Sequence, residues 1–326
     1  MKSIEFYWYE SSLLLWLLLP LSWLYCLTSA IRRKLYQFNI KKSYAAQVPV
    51  VVVGNIVVGG SGKTPLLISL CEFVKDKGYK PGVVSRGYGG KLSGIKQLSD
   101  NDSAELVGDE PLMIYQRSNV PVVVGADRVS AVNHLLENNA CDIVFSDDGL
   151  QHYRMKRDLE IAVIDAARKF GNGFCLPAGP LRETVSRLKE VDIVVYNGHH
   201  LHEKNEYFYS LKIVAINRLN ANESKVLSSF AGKSVHAVAG IGNPSRFFDQ
   251  LRESGLDVIE HSFPDHHAYV QHDFSEWRSE CIIMTEKDAV KCRDIALPDA
   301  WVVAVKADFS PALESKIASC LLPLLN

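Results

Sequence analysis

The chain has 326 residues, 47% of them hydrophobic and 22% charged, with a formal net charge of −1. That balance excludes a disordered or fibrous protein and fits one large or two ordinary folded domains. It also argues against nucleic acid as a partner, because no basic run is interleaved with aromatic residues.

The first predicted element is the uncharged run from Ser11 to Ala30, followed at once by Arg32-Arg33-Lys34. As a helix it matches the ~30 Å hydrocarbon core of a bilayer, and Pro20 is placed to kink it. Glu5 and Glu10 precede the run and the positive charges follow it, the reverse of a cleaved signal peptide. Arg32, Arg33, Lys34, Lys41 and Lys42 outnumber Lys2 on the other side, which keeps the body of the protein cytoplasmic. Trp8, Trp16, Trp23 and Tyr25 equally suit a helix lying in one leaflet. Residues 1–35 are therefore expected to attach the protein to a membrane, whether by spanning it or by lying in its interface.

Beyond the helix, a β-branched run, Val51-Val52-Val53, breaks into a glycine-rich turn ending Gly59-Gly60-Ser61-Gly62-Lys63-Thr64. Such a turn aims successive amides at phosphate oxygens. Lys63 brings a point charge to the β/γ-phosphates, and the Thr64 hydroxyl is placed to ligate Mg²⁺. The following helix adds the positive end of its dipole. The consensus cradle pattern fails only at its first position, where Val57 replaces glycine.

Alternating patterns then predict a wound α/β sheet. Strands are expected at 49–54, 81–85, 121–124, 142–146, 159–164, 191–196 and 211–216, with helices at 65–77, 104–117 and 127–138. A smaller group follows, with strands at 234–239, 256–260, 281–284 and 301–305 and helices at 244–254 and 286–293. The polar stretch 217–232 separates the two. The predicted organisation is a membrane helix over 1–35, a core lobe over 36–225 and a smaller α/β lobe over 226–326.

Several motifs fall where these strands end, the expected place for ligands on an open α/β sheet. Ser85-Arg86-Gly87-Tyr88-Gly89 is a second glycine-rich loop. Gly108-Asp109-Glu110-Pro111 offers carboxylates able to take a proton from a hydroxyl. Asp127-Arg128 and Gly179-Pro180-Leu181-Arg182-Glu183 each carry a loop arginine able to balance phosphoryl charge. Asp147-Asp148 ends an apolar strand and suits a metal, although turn aspartates look the same. Phe263-Pro264-Asp265-His266-His267 is placed to aim an imidazole across a cleft or to serve as structure. His199-His200-x-His202 reads as a polar loop, and the seven scattered cysteines read as reduced thiols.

In this order the motifs resemble the tetraacyldisaccharide 4′-kinase family of lipid A biosynthesis, membrane-associated P-loop enzymes. The resemblance covers nearly the whole chain. It includes Gly54-Asn55, the double-glycine cradle, Asp147-Asp148-Gly149-Leu150-Gln151-His152, Gly240-Ile241-Gly242-Asn243-Pro244 and Thr285-Glu286-Lys287-Asp288. It accounts for Val57, since this family's cradle begins at the double glycine. His199 departs from it, standing where a small residue is expected.

The resemblance implies ATP- and Mg²⁺-dependent phosphorylation of the 4′-hydroxyl of a tetraacyldisaccharide 1-phosphate, giving lipid IVA at the cytoplasmic face of the inner membrane. It implies Asp109 as base with His266 as its dyad partner, and Lys63, Arg128 and Arg182 on the phosphates. Gly59, Gly60, Ser61 and Gly62 would form the cradle, and Thr64 with Asp147 or Asp148 the metal site. Ser85, Arg86, His152 and Glu183 would line the site, and Thr285-Glu286-Lys287-Asp288 would contact the base or brace the lobes. Two alternatives stand beside it. A membrane-bound P-loop ATPase switch shares the deviant cradle but has a lysine where Val58 stands. A nucleotide-binding scaffold would leave Asp109, Asp147 and Asp148 without a task.

Overall fold

The structure, a computed structural model, describes residues 7–9, 13–198 and 207–325. The polar histidines 199, 200 and 202 lie outside those residues. Thirteen strands form a single sheet among the described residues. In its first half β1 (Val50–Gly54) lies between β5 (Ile143–Asp147) and β6 (Leu159–Asp165), parallel to both. Outward from β5 come β2 (Pro81–Ser85), β4 (Val122–Gly125) and the short antiparallel β3 (Ile95–Gln97). Strands β1, β2, β5 and β6 are buried along their whole length, which explains their mainly apolar sequence in place of strict alternation.

Outward from β6 come β7 (Ile193–Asn197) and then the long β8 (Phe208–Arg218), whose margin carries β9 (Ser224–Lys225). The sheet continues through β13 (Ala300–Phe309), antiparallel to β8, into β12 (Ile282–Thr285), β10 (Ser234–Ala239) and β11 (Asp257–Ser262). Separate hydrophobic clusters pack around the two halves, one on Phe145 and Leu66, another on Phe230, Phe248 and Trp301.

Helices cover the faces. The N-terminal α1 (Leu19–Gln37) is followed by α2 (Lys63–Asp76), α3 (Ala104–Val107), α4 (Asp109–Ser118) and α5 (Arg128–Asn138). In the second half lie α6 (Pro244–Glu253), α7 (Glu286–Ala289) and α8 (Pro311–Leu325). Most predicted elements appear within a few residues of their expected bounds; the short strands β3 and β9 were not expected, and three helices differ. The helix expected over 104–117 breaks at Gly108, whose φ of 93° is costly for any other residue and lets Asp109 open a new helix. The helix expected over 286–293 is shorter, ending at Ala289. The unpredicted α8 buries Leu313, Ile317 and Leu321, spaced i, i+4, i+8, in the core around β1 and α2.

One face of α1 packs on the protein. The Ser22 hydroxyl donates to the Cys175 carbonyl (2.8 Å) and accepts from the Ala178 amide (2.9 Å), and Arg33 lies 3.3 Å from Glu190. The opposite face exposes Trp16, Leu17, Leu21, Trp23, Leu24, Leu27 and Ile31. From Leu15 to Gln37 the helix is long and apolar enough to cross a membrane. The expectation of seven reduced thiols is corrected here, because Cys26 and Cys175 are bonded. Docking of α1 brings together two residues 149 positions apart, a proximity that sequence spacing does not signal.

Candidate active site

The cradle follows β1 at the carboxyl end of the central strands. Its four consecutive carbonyls each receive a side-chain donor from elsewhere in the fold. Asn55 donates to Gly59 (3.3 Å), Arg168 to Gly60, Asn197 to Ser61 (3.1 Å) and the Tyr209 hydroxyl to Gly62 (2.7 Å). In a trans peptide the N–H points opposite the C=O. Tying these carbonyls outward therefore turns the next four amides, ending at Lys63, to the other side, as an anion nest requires. Gly62 has φ 86°, and a Cβ there would lie 2.2 Å from the Asn197 amide nitrogen. Only glycine fits.

Opposite the cradle, β5 delivers the two aspartates differently. Asp147, 2% exposed, accepts from the Ser85 hydroxyl (2.9 Å) through Oδ2, while its buried Oδ1 has no hydrogen-bond partner. Burial, reinforced by Glu110 and Asp148, pushes its carboxyl up to about 6. Asp148 takes a left-handed backbone (φ 48°) that carries its side chain to Lys63 (3.4 Å) and Arg182 (2.7 Å). Burial alone would raise the Asp148 carboxyl, but those two cations hold it well below the usual range.

Arg128 opens α5, where Asp127 caps the helix through the Val129 amide. It is buried, unlike a solvated loop arginine, and donates to the carbonyls of Gly125 (2.9 Å) and Asp147 (3.1 Å). Burial lowers its guanidinium to about 10, so it stays charged near neutrality. His152 is lowered to about 4 by burial and by Arg128 and Arg157, which leaves its imidazole neutral. Glu183, 4% exposed, is engaged by Tyr153, by Gln151 (2.9 Å) and by Arg33 of α1 (3.8 Å). Arg86 is exposed beyond β2.

The second half of the sheet contributes His266. Its Nδ1 lies 2.9 Å from Asp109 Oδ2, and its ring packs edge-on against Tyr88 at 5.2 Å. For Asp109 burial acts upward, but the His266 hydrogen bond, Lys287 and Lys291 outweigh it and the carboxyl is lowered. The same hydrogen bond raises His266 against its own burial. Asp109 and His266 line a polar cavity of about 610 Å³. A second, mostly apolar cavity of about 180 Å³ joins the cradle residues Ser61, Lys63 and Thr64 to Asn243, Arg246 and Phe247 around α6.

The fold thus brings Lys63, Asp147, Asp148, Arg182, Arg128 and Ser85 together, while Asp109 meets His266 in a separate cavity and its chain neighbour Glu110 lines the one at the cradle. Sequence reading missed Arg168, Asn197 and Tyr209, which hold the cradle from β6, β7, β8 and their loops. Arg168 also donates to the Gly242 carbonyl (3.0 Å), and Arg246 to Asn197 (2.9 Å), so both halves of the sheet grip the turn. No local pattern marks them, because they act on the cradle across 108 to 147 residues.

Residues 14–322 match a family model described as tetraacyldisaccharide-1-P 4′-kinase. The chain is 44% identical over its whole length to a tetraacyldisaccharide 4′-kinase of Methylobacillus flagellatus, covering 97% of that protein. It is 45% identical to one from Hahella chejuensis, covering 96% of this chain and 95% of the other. A crystal structure of the "apo" form of LpxK from Aquifex aeolicus in complex with ATP aligns with a TM-score of 0.81 and 27% identity. That alignment covers 96% of this chain and all of the other.

Proposed function

Because this chain belongs to the tetraacyldisaccharide-1-P 4′-kinase family, we propose that the residues around its cradle carry an ATP-dependent phosphorylation of the 4′-hydroxyl of a tetraacyldisaccharide 1-phosphate. The observation that supports this assignment best is the 2.9 Å contact between Asp109 and His266, with Glu110, the neighbour of Asp109, lining the cavity at the cradle. An ATPase switch with this kind of cradle carries a lysine where Val58 stands.

The cradle amides and Lys63 bind the β/γ-phosphates, with the nucleotide reaching into the cavity toward Phe247. Asp109 accepts the proton of the acceptor hydroxyl at a carboxylate oxygen, and His266 holds that carboxylate in place through Nδ1. Arg182 and Arg128 stabilise phosphoryl charge, Arg182 directly and Arg128 through the backbone it fixes at Asp147. Ser85 orients Asp147, while Arg86 and His152 line the acceptor side. Glu183 joins α1 to the site. Residues 36–225 act as the core lobe and 226–326 as the smaller lobe, which reaches back to the core through α8.

The residues present fit Mg²⁺. Asp147 and Asp148 each hold a buried carboxylate oxygen without a hydrogen-bond partner, that of Asp148 facing Lys63 at 3.4 Å, and Thr64 lines the cavity at the cradle. No group of three or more His, Cys, Asp or Glu suited to a metal occurs among the described residues. That agrees with a cation held by one or two carboxylates and by substrate phosphates. We assign Asp147 and Thr64 as its ligands, with Asp148 committed to Lys63 and Arg182 at the margin of the site. When bound, Mg²⁺ would neutralise charge between the β- and γ-phosphates. Chelation is expected to abolish transfer of labelled γ-phosphate from ATP to detergent-dispersed tetraacyldisaccharide 1-phosphate, and added Mg²⁺ to restore it. Metal-dependent ATP hydrolysis without any transfer would instead favour the ATPase switch.

The acceptor's acyl chains are held in the bilayer by ~0.8 kcal/mol per buried CH₂, so the enzyme must come to the membrane. We take α1 to lie in the interface of the inner membrane on its cytoplasmic side. Support comes from Ser22, Cys26 and Arg33, which keep one face on the protein over about 16 Å of helix. Replacing exposed Leu17, Leu21 and Leu24 together by glutamate is expected to release the enzyme from lipid vesicles without lowering its Tm. Undiminished vesicle binding would refute the interfacial assignment.

A further inference from the structure

Lys287 stands at the junction of the two halves with a pattern of contacts that phosphate binding does not use. Its ammonium lies 2.9 Å from Glu110 and 2.8 Å from Asp265, with a side chain only 12% exposed. Glu110 is the chain neighbour of Asp109 on the first turn of α4, and Asp265 is the chain neighbour of His266. One largely enclosed cation therefore ties the residue beside the base to the residue beside its partner. We propose that Lys287 is a positioning residue for the Asp109–His266 pair, fixing His266 on Asp109 by gripping Glu110 and Asp265 at once. The inference rests on Asp109 being the base.

Local geometry explains why the clamp matters. His266 has a left-handed backbone, φ 60°, which is unfavourable for a residue with a side chain. Asp265 Oδ1, the atom that meets Lys287, also accepts from the His266 amide at 3.0 Å. Charge-assisted bonds of this kind are stronger and shorter than neutral ones, and here two of them share one donor group. Without Lys287, Glu110 and Asp265 face each other's charge across the junction and the loop loses its anchor.

The remaining groups around Asp109 do not replace it. Lys291 lies 4.0 Å from Asp109 and is drawn 3.0 Å to Asp288. Asp288 in turn is fixed by Tyr269, Thr285 and the Gly240 amide. Tyr88 touches only the edge of the His266 ring. The packing of α7 on α4 survives loss of Lys287, because Arg117 pairs with Glu286 at 3.1 Å and donates to the Val305 carbonyl at 3.2 Å.

The test compares Lys287→Met, Lys287→Arg, Asp265→Asn and Asp109→Ala in the full chain, measuring kcat, both KM values and the pH dependence of kcat. Misplacing the pair is expected to cost Lys287→Met about 10- to 100-fold in kcat, a loss that persists at saturating ATP, since Lys287 also lines the cavity joined to the cradle. Its acid limb should move to higher pH, because a cation facing Asp109 has gone while Glu110 and Asp265 remain. Lys287→Arg should recover most of the loss. Unchanged kcat in Lys287→Met, a loss with an unmoved limb, or failure of arginine to restore rate would each overturn the clamp. Should Lys287→Met not fold, Asp265→Asn breaks the same clamp from its other end, and its unchanged kcat would overturn it. Turnover retained in Asp109→Ala would instead remove the base on which the inference rests.

Discussion

Asp109→Ala is expected to lower kcat for phosphoryl transfer by about 10²- to 10⁴-fold, the range for loss of a general base. That corresponds to about 3–5 kcal/mol of barrier. KM for ATP should change little, since Asp109 lines the polar cavity and not the one joined to the cradle. The pH dependence follows from the pair. Burial acts to raise the carboxyl, but the His266 hydrogen bond with Lys287 and Lys291 outweighs it, so Asp109 stays ionised below the ordinary carboxylate range. An acid limb set by Asp109 should therefore lie below the ordinary carboxylate range.

The pair's contribution to stability obeys both signs. The lowered Asp109 stabilises the fold above its unfolded value, and that stability is lost as pH falls through its folded one. The raised His266 stabilises it below about 6.5, and that contribution disappears as pH rises through its folded value. The window of greatest support thus lies between the two, at mildly acidic pH. Turnover in Asp109→Ala equal to that of the wild type would remove Asp109 from the base role.

Lys63→Ala is expected to cost about 10²- to 10³-fold in kcat, as for loss of a preorganised group facing transition-state charge, and to raise KM for ATP as well. The two effects should appear together because Lys63 meets the phosphates in both ground and transition states. The substitution also removes one of the two cations that keep Asp148 ionised, leaving Arg182 alone beside it at 2.7 Å. Undiminished transfer with unchanged KM would overturn the cradle assignment. The cradle should keep its shape in this variant, because its carbonyls are held by Asn55, Arg168, Asn197 and Tyr209 and not by Lys63.

Much of this protein was legible one segment at a time. The buried parallel strands announced themselves as valine runs, and the glycine-rich turn before Lys63 announced a cradle because Gly59 and Gly62 both need positive φ. The apolar run before Arg32 marked α1. The family resemblance supplied the Asp109–His266 pairing, which no spacing in the chain would suggest. The break at Gly108 was hidden because α3 and α4 share one helical pattern across it. The last helix was hidden among short apolar residues whose burial depends on the core around β1.

By itself the sequence determined what neighbouring residues decide: strand or helix, a turn that tolerates only glycine, an apolar face, a phosphate-binding chemistry. Tertiary structure alone decided which distant side chains meet. The bond between Cys26 and Cys175, the grip of Arg168 on Gly60 and the bridge from Lys287 to Glu110 join residues 149, 108 and 177 positions apart. The physical reason is that backbone preference and hydrophobic period act over a few residues. Proximity across the chain arises only when the sheet aligns strand ends and the packed helices fix the distances between them.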